Sequence, residues 1–190
     1  MSYKIKFLCI SCLMIFESFG QNYDFVKVLP GKGIIYNNDS ILLYKTNVQQ
    51  LHKILKIKDT SNPDELIIRI WDGFDAETYN DVSGSDFVRN IKYKFITFEF
   101  ADESNPKDLK LNRIIIKTDK YTKVYTDNGL IIGMINSDIE SFFPKVSKNY
   151  KVSENKQIYN LHHYGISIYL EKMDNGDLKI VEIETYKKTE

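Results

Sequence analysis

Two stretches decide how the fold of this chain is interpreted: Thr46-Asn47-Val48-Gln49 and Ser137-Asp138-Ile139-Glu140. Each has the pattern of a capping box, in which a hydroxyl caps the start of a helix and a Gln or Glu three residues later bonds back to the cap. Each follows an apolar run, 41–44 in the first case and 130–135 in the second, and each precedes two further strand-like runs. The order predicts one structural unit that is used twice.

The spacing of matching landmarks supports this duplication. Thr46 and Ser137 are separated by 91 positions, whereas Leu109 and Leu178, which open the similar runs Leu-Lys-Leu and Leu-Lys-Ile, are separated by 69. The first copy therefore carries about 22 additional residues. The alternative is coincidence, because hairpins and capped helices occur in any α+β protein.

The predicted fold class is α+β, with two related modules that are each an antiparallel sheet with one short helix packed on one face. The first module spans 21–119 with an insertion near 57–90, and the second spans 120–190. Helices are predicted over 47–56 and 138–143, and hairpins around Asn37-Asn38-Asp39-Ser40 and Asn128-Gly129. Runs 91–100 and 158–171 are each predicted as one strand, 178–186 as the final strand, 145–156 as polar loop and 72–90 as irregular structure.

The N-terminal residues 1–20 have the pattern of a secretory signal peptide. Lys4 and Lys6 precede the apolar run 7–16, which has the length of a signal-peptide core and is too short to span a bilayer. Small residues then predict cleavage before Gln21, which gives a periplasmic or secreted protein without a stable membrane span. Two alternatives are lipidation of Cys12 and an uncleaved anchor.

Composition excludes several kinds of site from the mature chain and disfavours two kinds of partner. The two cysteines, Cys9 and Cys12, both lie in the predicted signal, so cleavage removes disulfides, thiol nucleophiles and Cys-based zinc sites from consideration. Basic and acidic residues balance at 26 each. Nucleic-acid binding depends on phosphate neutralisation, so nucleic acid is an unfavourable partner for this chain, and an anionic membrane surface is unfavourable as the main one.

A family resemblance rests on the second copy. It is carried by Gly133-Met134-Ile135-Asn136-Ser137, Phe142-Phe143-Pro144, Tyr164-Gly165-Ile166-Ser167-Ile168 and the run 177–183. These stretches resemble repeats in uncharacterised exported proteins of the Bacteroidota. More distantly, they resemble the module of the β-lactamase-inhibitor protein and of the small lipoproteins of outer-membrane assembly. The resemblance implies an α+β binding protein without catalytic machinery or cofactor.

The three histidines are the first candidates for chemistry. His52 falls at the edge of the apolar face of the first predicted helix, and His162 and His163 are adjacent within a predicted strand, where they would point to opposite faces. A second ligand at a metal-binding spacing is missing from the sequence around them. Ordinary structural histidines are the favoured interpretation over a metal site.

An acidic segment follows the single tryptophan. Asp72, Asp75, Glu77 and Asp81 lie in a glycine-containing stretch, which suggests either a solvated acidic loop or an oxygen-rich cation site. A small hydrolase that uses the carboxylates of this 72–81 loop is the alternative function. Paired carboxylates would require a defined separation across a cleft.

The aromatic residues of the same segment suggest a recognition surface. Trp71 ends a predicted strand and is followed by Phe74 and Tyr79, and large aromatic side chains are favoured anchors of protein interfaces. The alternative is that Trp71 closes the core beneath the loop. The candidate binding residues are therefore Trp71, Asp72, Phe74, Asp75 and Tyr79, and the predicted function is binding of another protein or an envelope component.

Overall fold

The computed structural model describes residues 24–57, 66–75, 80–102, 104–105, 107–117, 122–135, 139–143 and 149–188. The predicted signal peptide 1–20, Ser137 and Tyr79 lie outside these residues. Within the described part of the chain, no helix has both the length and the apolar character needed to cross a membrane.

The described chain forms an α+β fold of two sheets and two helices. The helices are α1 (Val48–Leu55) and α2 (Ile139–Phe142). The strands are β1 (Asp24–Leu29), β2 (Gly33–Tyr36), β3 (Asp39–Leu42), β4 (Leu66–Asp75), β5 (Asn80–Tyr93), β6 (Ile96–Asp102), β7 (Lys110–Lys117), β8 (Thr122–Thr126), β9 (Asn149–Ser153), β10 (Lys156–Leu161), β11 (Ile166–Lys172) and β12 (Leu178–Tyr186). A short 3-10 helix, His162–Tyr164, joins β10 to β11.

The larger sheet has eight strands in the order β4-β5-β6-β7-β12-β11-β10-β9. Its neighbouring strands are all antiparallel, so that β4–β7 and β9–β12 are two consecutive meanders that meet where β7 pairs with β12. The smaller sheet has the order β3-β2-β1-β8. Its β1–β8 pair is parallel, which corrects the expectation of purely antiparallel sheets.

One apolar core fills the space between the two sheets. Strand β6 shows the alternation that builds it, because Ile96, Phe98 and Phe100 are completely buried in this core. Val26 and Val28 of β1 contribute from the smaller sheet, and both helices add side chains to the same cluster. The face of the eight-stranded sheet that points away from this core is its outer face.

The two sheets are joined at a close approach of backbone. Gly31, in the turn between β1 and β2, donates its N–H to the carbonyl of Gly165 at 3.1 Å. Its N–H also lies 3.1 Å from the hydroxyl of Thr185, a completely buried residue of β12. A Cβ atom at Gly165 would lie 2.4 Å from the carbonyl oxygen of Tyr186 and 2.5 Å from the Cα atom of Gly31. The absence of a side chain at this glycine therefore allows the contact between the sheets.

The first predicted helix is present, but its capping box begins one residue later than expected. Asn47 caps α1 and accepts from the N–H of Gln50 at 2.9 Å, while the Gln50 side chain accepts from the N–H of Asn47 at 2.9 Å. Thr46 is the cap that the sequence predicts, but its buried hydroxyl instead accepts from the N–H of Leu42 at 2.9 Å. Because the turn after β3 uses this hydroxyl, the helix takes the next polar residue as its cap.

Turns divide two of the predicted long strands. Run 91–100 is broken at Lys94, which has a positive φ of 54° and whose ammonium lies 2.6 Å from the Asp24 carboxylate. Run 158–171 is broken by the 3-10 helix and by Gly165, which has a φ of 67°. Periodicity does not show these breaks, because apolar residues continue on both sides of each turn.

Four other local predictions have mixed outcomes. The Asn37-Asn38 turn and the final strand are confirmed, with the strand running Leu178–Tyr186 as predicted. The expected loop 145–156 instead includes β9. The apolar run 130–135 makes isolated bridges at Ile131 and Ile135 rather than a regular strand.

Candidate functional site

The segment predicted to be an irregular site loop is a regular hairpin. Trp71, Asp72, Phe74 and Asp75 belong to β4, and their partners in β5 are Gly84, Ser83, Asp81 and Asn80 respectively. The expectation of irregular structure at 72–90 is therefore wrong for the described residues 72–75 and 80–90: residues rich in Asp, Gly and Ser join the sheet because pairing with a neighbouring strand supplies hydrogen bonds that residue propensity does not predict. The proposed binding and hydrolytic roles of these residues stay predictions, and Tyr79 and Glu77 lie outside the described residues.

Two of the three histidines, His162 and His163, do not lie where the sequence placed them. His162 and His163 belong to the 3-10 helix rather than to a strand, and both are exposed. His52 lies half-buried on α1. Among the residues that the structure describes, no group of three or more His, Cys, Asp or Glu side chains is arranged to hold a metal ion.

A charged cluster lies instead at the centre of the outer face. Arg113 of β7 is 3.1 Å from the carboxylate of Glu99 on β6 and 3.9 Å from that of Glu184 on β12. The Glu99 and Glu184 side chains are only 9% and 10% exposed, and the Arg113 side chain is 33% exposed. One guanidinium thus serves two largely buried carboxylates. These three residues, Glu99, Arg113 and Glu184, form the Arg113 cluster.

The electrostatics of Glu184 are unfavourable for its charged form. Burial raises the pKa of the Glu184 carboxyl above its usual range, although Arg113 and a hydrogen bond from Tyr169 act in the opposite direction. Burial, together with the nearby Glu184 charge, also raises the pKa of the Tyr169 hydroxyl. The interactions around Glu184 therefore do not fully offset the cost of ionising its buried carboxyl group.

A strand irregularity shapes the surface beside the cluster. The β6–β7 register passes from Glu99–Arg113 directly to Phe100–Leu111, which leaves Asn112 as the additional residue of a bulge. The side-chain oxygen of Asn112 is buried and has no hydrogen-bond partner within the described residues. Bulges of this kind redirect side chains and occur next to functional sites.

A concavity of about 480 Å³ opens over the Arg113 cluster. This volume falls within the range of small-ligand sites, about 300–1,000 Å³. Its walls combine tyrosines with side chains that donate or accept hydrogen bonds: Tyr44, Asn112, Arg113, Asn160, His162, Ser167, Tyr169, Glu184, Tyr186 and Lys187.

Hydrogen bonds between side chains order one wall of the concavity. The Ser167 hydroxyl donates to the side-chain oxygen of Asn160 at 2.9 Å and lies 3.0 Å from the Tyr186 hydroxyl. The Tyr186 hydroxyl is in turn 3.2 Å from Nδ1 of His162. Ser167 is thus hydrogen-bonded to a side-chain amide and to a tyrosine hydroxyl, and the network fixes the polar groups of this wall in place.

The opposite rim carries a strained aromatic residue. Tyr44 has a positive φ of 59°, which is unusual for a bulky side chain. Its N–H donates to the carbonyl of Leu111 at 2.7 Å, and this bond fixes the backbone in place. The residue is 48% exposed at the mouth of the concavity, and Lys187 Nζ lies 5.6 Å from its ring centroid. Strain of this type is concentrated at functional positions, which makes Tyr44 a candidate site residue.

Sequence reasoning did not identify this site. Its members come from β6, β7, β10, the 3-10 helix, β11, β12 and the segments after β3 and β12, so no short motif contains them. One signal was present: Glu182-Ile183-Glu184 alternates carboxylates with a completely buried Ile183 in the correctly predicted final strand, and Arg113 offers the complementary charge. The pairing of β7 with β12 is needed to bring them together.

Comparisons with known proteins add little about function. No protein-family model matches the chain, and a comparison with curated proteins gives no match. Among solved structures, the chain is similar to the uncharacterised protein YfeY from Escherichia coli, with 14% sequence identity and a TM-score of 0.40. The similarity covers 85% of this chain and 99% of that one.

Proposed function

We propose that this protein is an exported, non-enzymatic binding protein that engages an envelope component or another protein through the concavity above the Arg113 cluster. The observation that carries the proposal is the pair of largely buried carboxylates, Glu99 and Glu184, that share one guanidinium on the outer face of a sheet. The apolar core lies on the other face, so packing the core does not require these charges.

The energetics favour a binding role for the cluster over a purely structural one. Buried ion pairs often contribute no more to stability than well-packed apolar side chains of similar volume. In this cluster burial raises the pKa of Glu184, so its ionised form is disfavoured by the fold. Functional sites commonly keep such unfavourable groups at a cost in stability.

The two-module organisation is part of the proposal. Each helix precedes a meander of four antiparallel strands, α1 before β4–β7 and α2 before β9–β12, and the last strands of both meanders pair with each other. This order supports modules at 21–119 and 120–190 that arose from one unit. The Arg113 cluster draws on both proposed modules, because Glu99 and Arg113 belong to the first and Glu184 to the second.

Export places the proposed ligand in the periplasm or outside the cell. The signal pattern of residues 1–20 supports this location, and the expected mature N-terminus is Gln21. N-terminal analysis of protein isolated from the periplasm and the culture medium should identify Gln21. A lipidated Cys12 at the N-terminus would instead indicate a membrane-anchored form. Recovery of the protein only from the cytosol would contradict export.

Comparative capture tests the binding role. Tagged wild-type protein and the Glu184→Gln variant are incubated with periplasmic extract and with envelope fractions, and the retained material is analysed for protein and for polysaccharide. Glu171→Gln serves as the matched control, because Glu171 lies in an exposed pair with Lys156, 2.9 Å apart, outside the concavity. We expect specific retention by the wild type and the control and its loss with Glu184→Gln. Equal retention by all three would contradict the assignment of the site.

A further inference from the structure

The geometry points to a neutral saccharide as the ligand of the concavity above the Arg113 cluster, an inference that rests on the proposed binding function and names its ligand class. The argument starts from the hydrogen-bonding character of the walls. Glu184 and the side-chain oxygen of Asn112 only accept hydrogen bonds, whereas Arg113 and Lys187 only donate them. Ser167 and Tyr186 can do both.

Charge balance separates the possible ligand classes. Arg113 and Lys187 bring two positive charges to the concavity, and Glu184 with the adjoining Glu99 brings two negative charges. An anionic ligand would satisfy the donors and repel the carboxylates, and a cationic ligand would do the reverse. Hydroxyl groups both donate and accept hydrogen bonds, so an uncharged ligand with several hydroxyls can bond to the donors and to the acceptors that line the concavity.

The unpartnered oxygen of Asn112 gives the inference a specific atom. This buried acceptor has no hydrogen bond in the described structure, which costs free energy, and a turn of the Asn112 side chain toward the concavity would let a ligand hydroxyl donate to it and recover that cost. The bulge at Asn112 presents this acceptor beside the Arg113 cluster. Once the side chain has turned, a hydroxyl of the bound ligand is expected to donate to this oxygen.

The tyrosines supply the complementary apolar contacts. Tyr44 and Tyr186 both line the concavity, and Tyr44 exposes about half of its side chain at the rim. The C–H groups of a sugar ring can pack on such aromatic faces while its hydroxyls point to the polar walls. A protein interface, in contrast, usually has an apolar centre and a polar rim, whereas here the charged groups lie at the centre.

The test uses defined sugars and the full mature chain. Maltose, cellobiose, mannobiose and diacetylchitobiose are titrated to about 20 mM, which would saturate a site of millimolar Kd. Binding is followed by NMR through the side-chain amide signals of Asn112 and Asn160. Tyr44→Asn and Asn112→Ala are the site variants: asparagine tolerates the positive φ of residue 44, and alanine removes an acceptor that has no partner in the described structure. Phe25→Ala, which removes an aromatic side chain that is 50% exposed on the smaller sheet, is the control.

We expect at least one of these sugars to shift both amide signals saturably. Both site variants should weaken that binding by at least about tenfold, and the control should leave it unchanged. N-acetylarginine amide and glucuronate are titrated in parallel as cationic and anionic probes. Binding of a charged probe alone, or of none of the probes, would overturn the saccharide inference. If Glu184→Gln still abolishes specific retention of a protein in the capture experiment, the proposed binding function stands while the saccharide inference fails.

Discussion

Substitution of Gly165 by alanine tests the junction between the two sheets most directly. Gly165 has a φ of 67°, and an added Cβ would lie within 2.5 Å of backbone atoms of Gly31 and Tyr186. Those neighbours are backbone and have no side-chain freedom with which to move away. In the mutant chain, the turn after β1 must therefore move away from the eight-stranded sheet. The end of β12 at Tyr186 must move as well.

The expected loss follows from two contributions. The left-handed backbone costs an alanine about 1 kcal/mol. Separation of the chains also weakens the bonds that the Gly165 carbonyl accepts from the N–H groups of Gly31 at 3.1 Å and Tyr186 at 3.0 Å. At about 1 kcal/mol for each bond, the free energy of unfolding should fall by about 3 kcal/mol in total.

Gly176→Ala is the matched control. Gly176 has a φ of 90°, and, apart from its two chain neighbours, no described residue has an atom within 4 Å of the position that an added Cβ would take. The control therefore has the backbone cost alone, and the entropy lost by the unfolded chain is the same in both variants. The difference of about 2 kcal/mol should separate their urea midpoints by about 1 M, for an m-value of about 2 kcal/mol/M. Midpoints that agree within about 0.3 M would refute the claim that close backbone packing at Gly165 joins the sheets.

The helix cap, the sheet junction and the buried carboxylate can each be tested by one substitution and its control. Gln50→Ala should lower the free energy of unfolding by about 0.5–1 kcal/mol in urea titrations, because Gln50 closes the capping box of α1. The control Gln49→Ala should change this free energy little. A larger effect at Gln49 would support the cap position expected from sequence. Thr185→Val should cost about 1–3 kcal/mol, because the buried hydroxyl bonds two backbone groups at the sheet junction, and Thr185→Ser should restore most of the loss. The raised pKa of Glu184 contributes stability that is present at acidic pH and is lost as the pH rises through the folded-state pKa. The stability of Glu184→Gln relative to wild type should therefore increase between acidic and neutral pH, and a relative stability that falls over this range would contradict the effect of burial.

The secondary structure was predictable wherever local signals were sufficient. The helix α1, the Asn37-Asn38 turn and the last strand, β12, follow from cap chemistry, turn residues and alternation, which depend on near neighbours. The predicted cap was wrong by one residue. Thr46 and Asn47 have equivalent capping chemistry, and the choice between them depends on the hydroxyl contact with Leu42.

The segment after Trp71 shows where local signals were insufficient. Its Asp, Gly and Ser content is typical of loops, yet residues 66–75 pair along their length with β5. A strand at the edge of a large antiparallel sheet gains hydrogen bonds from its neighbour, and this gain outweighs low propensity. The predicted site residues of this segment remain candidates, now on a hairpin rather than on an irregular loop.

The sequence by itself determined that this chain has an α+β fold with short helices among many strands, since apolar period and turn chemistry are encoded within a few residues. Only the tertiary structure decided that the two meanders form one sheet, and that Arg113 lies between Glu99 and Glu184. The reason is that the contacts involved link distant positions: the N–H of Gly31 meets the hydroxyl of Thr185 across a sequence separation of 154 residues. Such contacts depend on which strands pair with each other. The alternation of apolar and polar residues is compatible with that pairing but does not specify it.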